Sequence, residues 1–141
     1  MKFGYVKFLV LGVLALTAAG CSSNPLVGRW TATNSGGGVQ TTVTMTLGGG
    51  GNADATIVGM GACTGTMTFT GATWTSTATA ITFAGMSTCA GMVMCTIAGT
   101  TVNVDCSMAG NLNATSGTHS YTLSNSNMTL VVDTSTFTRA S

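Results

Sequence analysis

His119 is the single histidine of this 141-residue chain, and Asp54, Asp105 and Asp133 are its only carboxylates; there is no Glu. Acid–base chemistry would have to be built from these four side chains. His119 and Ser120 are neighbours, so on a strand they point to opposite faces and make no base–nucleophile pair. A hydrolase that works with paired carboxylates needs two acids that converge, and the three Asp are spread along the chain. The Gly-x-Ser-x-Gly elbow of serine hydrolases is missing. These residues argue against an enzyme, and no catalytic residue is assigned.

Soft donors are more plentiful. Beyond residue 20 stand five cysteines (Cys21, Cys63, Cys89, Cys95, Cys106) and eight methionines (Met45, Met60, Met67, Met86, Met92, Met94, Met108, Met128). Met92-x-Met94 with His119 could offer thioether and imidazole to Cu(I). The competing use is packing, since Met fills irregular cores and can line an apolar pocket, and a copper carrier would cluster its Met and His. The cysteines lack the close Cys-x-x-Cys pairs of a structural zinc site. Neither a metal nor a cofactor is expected. The glycine runs at 36–38 and 48–51 lack the Lys-Ser/Thr ending of a phosphate loop and read as loop tips.

Residues 1–7 (MKFGYVK) are cationic, Phe8 to Leu16 is apolar, and Thr17-Ala18-Ala19-Gly20-Cys21 follows. The apolar run is too short for a stop-transfer helix and ends in small residues, which is the pattern of a secretory signal peptide. Ala19-Gly20-Cys21 resembles the lipobox of bacterial lipoproteins, with Ala18 where that family usually carries Leu. The resemblance implies that residues 1–20 are removed and that Cys21 is acylated, with 21–26 as a lipidated tether. Ser22 after the lipid cysteine implies sorting to the outer membrane. Assigning Cys21 to lipid leaves four cysteines, an even number suited to two disulfides in an exported protein.

The chain after residue 20 has two Arg against three Asp, a net charge of −1. That excludes a basic nucleic-acid binder and a polybasic membrane surface. Thr is the commonest residue, at 28, and there is one Pro. Thr42-Val43-Thr44-Met45-Thr46-Leu47 and Thr66-Met67-Thr68-Phe69-Thr70 alternate strictly, the mark of strands with one buried face. Thr suits the outward face, because its branch fits the pleat and its hydroxyl meets water. Strands are expected near 27–33, 39–47, 53–58, 65–75, 79–84, 92–97, 101–107, 118–124 and 128–133, with a short piece around Phe137. Thr73 to Phe83, Val93 to Val104 and His119 to Val132 read as hairpins. The fold class is all-β, an up-and-down antiparallel barrel of about eight strands over 27–141, with a β-sandwich as the alternative. Closure would also hide strand edges that this chain, poor in Lys and Glu, cannot protect with charge.

Leu26-Val27-Gly28-Arg29-Trp30 carries Gly-x-Trp at the start of the first strand and resembles the lipocalin signature. Arg139 stands where lipocalin-like barrels carry a late Arg over that Trp. The resemblance implies a structural trio of Gly28, Trp30 and Arg139, with a cation–π contact at the closed end. It also implies a barrel that takes up a small hydrophobic ligand. The alternative is a filled barrel acting as a structural or interaction protein, adhesin- or inhibitor-like, with neutral partners because a nearly uncharged surface steers little. The anticipated partners are thus the membrane, through the anchor, and a small ligand, with nucleic acid excluded. Four cysteines allow three pairings. Folding 65–84 about position 77 brings Cys63 near Cys89, and folding 92–107 about Gly99-Thr100 brings Cys95 near Cys106, so Cys63–Cys89 and Cys95–Cys106 are the expected bridges. Asp105 is expected to face water.

Overall fold

Stretches of period-two alternation recur between Gly28 and Arg139, and the described residues form ten strands. They are β1(Gly28–Gly36), β2(Val39–Leu47), β3(Asn52–Gly59), β4(Cys63–Ser76), β5(Ala80–Ala84), β6(Thr88–Ile97), β7(Thr100–Asp105), β8(Gly117–Ser124), β9(Thr129–Val132) and β10(Ser135–Arg139). A single helical turn, α1(Cys106–Ala109), follows β7. The computed structural model describes residues 23–85, 88–109 and 116–141. The expected signal peptide over 1–20, Cys21, Ser22 and Met86 lie outside the described residues.

Eight strands close an antiparallel barrel in the order β3-β2-β1-β10-β9-β8-β5-β4, with β4 pairing back onto β3. The expected lipocalin-like, all-β barrel is therefore present, with two strands beyond the ring. The reason lies in β4, which at 14 residues serves two partners along one edge. Thr73–Ser76 pair with β5 and keep the ring closed, whereas Cys63–Thr70 pair with β6, which carries β7. Two glycines let β4 and β6 approach. Gly65 and Gly91 have φ of +99° and +89°, and a Cβ on Gly91 would stand 2.1 Å from the Thr66 carbonyl oxygen. That backbone conformation and that spacing admit only glycine.

The split strand gives the molecule two apolar centres. One lies inside the ring and consists of Leu26, Trp30, Leu47, Ala53, Trp74, Ile81 and Leu130, each at most 6% exposed. The other sits under β2, β3, β4, β6 and β7, around Cys63, Met67, Val93 and Cys95. Many outward positions of the ring are threonines in register. Thr129, Thr138, Thr31, Thr44, Thr56 and Thr68 form one continuous row across β9, β10, β1, β2, β3 and β4. Apolar inside and hydroxyl outside is the reverse of a membrane-spanning barrel, whose outer band is apolar.

The four cysteines form two disulfides, but not in the expected pairing. The bridges are Cys63–Cys95 and Cys89–Cys106. Cys63–Cys89 and Cys95–Cys106 are corrected because both turns sit off the expected centres. β4 meets β6 in a register that sets Cys63 directly opposite Cys95. The β6–β7 turn centres on Ala98-Gly99, so Met92 pairs with Asp105 and Cys106 arrives beside Gly91, two residues from Cys89. Strand bounds also shift by a few residues. β6 begins at Thr88, and 106–107 belong to α1 rather than to a strand. Asp105 is half-buried, its Oδ1 accepting from the backbone N–H and hydroxyl of Ser107 at 2.9 and 2.5 Å.

Gly91→Ala should cost about 2 kcal/mol or more, because it adds strain and a backbone clash. Gly99→Ala has a similar φ of +79° but open space around it, and should cost about 1 kcal/mol. Denaturant titration of the two variants tests the contrast. Cyanogen bromide cuts after Met92 and Met94 and so separates Cys89 from Cys95. The 95–108 fragment should remain attached to the fragments bearing Cys63 and Cys89 until a reductant is added. Its release without reductant would refute the observed pairing.

Candidate functional site

Trp30 is wholly buried and sits where β1 meets β10. Gly28, two residues earlier, has φ +142°, and a Cβ there would press on the Arg139 guanidinium. The missing side chain is the space that Arg139 fills. Its guanidinium carbon lies 4.3 Å from the Trp30 ring centroid, a cation–π contact. Nε donates to the Asn127 carbonyl at 2.9 Å, Nη1 to the Val27 carbonyl at 2.9 Å, and Nη2 to the Pro25 carbonyl. Trp30 Nε1 donates to the Leu26 carbonyl at 2.8 Å. One cation thus joins the N-terminal segment, the β8–β9 turn and the last strand. It is a clasp on three backbone oxygens and an indole face, with each of its three nitrogens donating one hydrogen bond.

The second polar constellation is one that the sequence reading missed. His119 Nδ1 lies 2.7 Å from Asp133 Oδ2, and Asp133 Oδ1 accepts the Ser120 backbone N–H at 3.1 Å. The signal was present in the His119–Val132 hairpin. Tyr121 pairs with Val132, so the next step outward sets Ser120 against Asp133. The His119 side chain is 19% exposed, on the inward face beside Phe83, with ring centroids 6.1 Å apart. Asp133 is 52% exposed in the β9–β10 turn, at φ +50°. The Ser120 side chain projects from the opposite face of β8. The pair ties a turn to a strand and orients one imidazole, and the adjacent hydroxyl is turned away from it.

Among the described residues the soft donors are not gathered either. Met67 is buried in the second core and Met45 packs against the first. Met60, Met92, Met94 and Met128 are exposed at 42–49%. Met92 and Met94 lie on the outer face of β6, while His119 lies on β8, which pairs with β5 and β9. Among the described residues no three His, Cys, Asp or Glu side chains come together as a metal site.

Two depressions mark the end of the barrel away from Trp30. One of about 490 Å³ is lined by Thr33, Asn34, Ser35, Gly36 and Val39, and one of about 420 Å³ by Ser35, Gly36, Gly38, Val39, Gln40 and Ala62, across the β1–β2 and β3–β4 tips. Both are open to solvent. Three hairpin tips gather there. The Met60 N–H donates to the Gln40 carbonyl, the Thr96 N–H donates to the Ala62 carbonyl, and Gly38 lies against Ile97. No charged residue occurs in 34–40, 60–62 or 97–100. Compared with protein-family models, with curated proteins and with solved structures, the chain matches none.

Arg139→Ala removes the clasp and leaves three carbonyls without their charged donor. It should destabilise by about 3–5 kcal/mol, read as a fall in melting temperature. Arg139→Lys should recover only part of this, because an ammonium cannot fork between three acceptors and a ring. A loss below about 1 kcal/mol for Arg139→Ala would show the clasp to be a by-product of closure.

Proposed function

We propose that this chain is an exported, lipid-anchored protein of the bacterial cell envelope, lipocalin-like in build and non-enzymatic, whose barrel works as an interaction module rather than as a carrier. The observation that carries this reading is the filled interior. Trp30, Leu26, Leu47, Ile81, Leu130 and Trp74 occupy the space that a lipocalin-like ligand would need, and the two depressions are open to solvent at the other end of β1. Ligand sites of this kind bury most of their guest, which depressions open to solvent do not do. The anchor reading is supported by the lipobox-like Ala19-Gly20-Cys21 and by the cysteine count, since the other four cysteines are paired with one another. Two disulfides suit an oxidising compartment, and Ser22 favours the outer membrane. The neutral tips at the end away from Trp30 favour an uncharged partner.

Native mass spectrometry of the mature protein, extracted from membranes in mild detergent, tests this. The expected mass is that of residues 21–141 with acyl chains on Cys21 and nothing more. A further small molecule that accompanies the protein reproducibly, and leaves on organic extraction, would restore the carrier reading. Cys21→Ser should abolish the acyl mass; acylation that persists would place the lipid elsewhere.

A further inference from the structure

We infer that the barrel stands end-on to the bilayer, with its Trp30 end as a membrane-docking surface seated on the phospholipid headgroup layer. This rests on the reading of Cys21 as the lipid-bearing residue. The reach of the tether sets the orientation. The chain is fixed to the barrel from Asn24 onward. Asn24 Nδ2 donates to the Ser76 hydroxyl at 3.0 Å, Asn24 Oδ1 accepts the Leu26 N–H at 3.0 Å, and its carbonyl accepts the Val27 N–H at 3.0 Å. The Pro25 carbonyl is held by Arg139, and Leu26 is wholly buried. Three residue steps separate Asn24 from Cys21, a span of about 11 Å at full extension. An acylated Cys21 sits at the headgroup boundary, so the part of the barrel around Asn24 is held there too.

That part of the barrel is defined by contacts. The β8–β9 turn, Asn125–Met128, is bound through Asn127 to Arg139. The β4–β5 turn, Thr77–Thr79, follows directly on Ser76. The β2–β3 turn, Gly48–Gly51, meets Trp74 through its Gly48 and Gly51 carbonyls and approaches Val27 at Gly49. These three turns carry no charge, so they bring no carboxylate against phosphate. Met128, 49% exposed, is the large apolar side chain among them. A flexible apolar side chain on neutral, hydroxyl- and amide-rich turns suits the headgroup boundary, where no polybasic patch is needed once a lipid supplies the anchor.

The consequence is a defined outward direction. β1 runs from Gly28 to Gly36, about 26 Å of strand at 3.3 Å per residue. Tilted as barrel strands are, it carries the gathered tips of β1–β2, β3–β4 and β6–β7 roughly 20 Å further from the bilayer than the Trp30 end. The uncharged cluster around Gln40, Met60 and Ile97 is the face presented away from the membrane.

The test uses the full mature protein, because its other cysteines are engaged and one introduced thiol can be labelled. Ala78→Cys places an environment-sensitive fluorophore on the exposed β4–β5 turn, and Ser35→Cys places one near the β1–β2 tip. Each protein is reconstituted in vesicles of phosphatidylethanolamine and phosphatidylglycerol that contain a nitroxide-headgroup phosphatidylcholine, and flotation and intact mass establish anchoring. The expected result is strong quenching at position 78 and quenching at position 35 no greater than in nitroxide-free vesicles. Equal quenching at both positions means that the barrel lies on its side, and no quenching at either means that it stands off the surface. Each overturns the orientation while the acyl mass and flotation leave the anchor intact. Absence of the acyl mass with loss of flotation overturns the anchor reading, and the orientation with it.

Discussion

Closure of the ring depends on the seam between β1 and β10, and that seam is short. Two residue pairs join the strands, Trp30 with Arg139 and Thr31 with Thr138. Two pairs are little to hold the first and last strands of a barrel against the cost of closing a chain of this length. Arg139 offsets this by binding sideways as well as across. It takes the carbonyls of Pro25, Val27 and Asn127 and the face of Trp30 in one planar cation. Leu26 and Trp30 complete the plug, and the Trp30 indole N–H is satisfied by the Leu26 carbonyl. The burial of a Trp and a Leu contributes of order 1.5–3 kcal/mol each, but only if this end stays shut. Gly28 is where the requirement is visible in the backbone, since any side chain there would displace the guanidinium.

The second constraint is that one strand belongs to two sheets. β4 closes the ring with its C-terminal part and carries β6 and β7 with its N-terminal part. The second core has fewer large apolar residues than the first, with Met67 and Val93 beside the buried sulfurs of Cys63 and Cys95. Both disulfides are placed there, one across the β4–β6 ladder and one from β6 to the start of α1. Bridges closing loops of these sizes contribute about 3 kcal/mol each in the chain-entropy model. They serve where burial is thin, and where β7 has β6 as its one strand neighbour among the described residues.

Alternation was the legible part of the sequence. Thr42 to Leu47 and Thr66 to Thr70 announce their faces unaided, and the three hairpins at 73–83, 93–104 and 119–132 are all present. The disulfide pairing was not legible, because it turns on where each hairpin reverses. A shift of a residue or two in the turn moves the partner of Cys63 from the neighbourhood of Cys89 to Cys95. The attachment of β6 to β4 rather than to β5 was equally hidden, since it depends on glycine φ values at Gly65 and Gly91 that composition does not reveal. The His119–Asp133 contact could have been found by extending the β8–β9 register one step. Trp30 and Arg139 were identifiable as candidates by resemblance; the three carbonyls that Arg139 also binds come from irregular backbone, where sequence pattern says least.

An outer wall of threonine and almost no charge has a cost and a use. The row from Thr129 to Thr68 gives the barrel water-compatible walls through hydroxyls whose branched side chains also favour the strand. It provides little field to draw a partner in from a distance. A protein confined to a membrane has less need of such a field, because anchoring raises the effective concentration of whatever shares that surface. On the proposed reading of Cys21 as the lipid-bearing residue, the scarcity of charge and the anchor belong together. On that proposal the anchor would do the work of encounter, and the neutral tips around Gln40, Met60 and Ile97 would decide which encounters last.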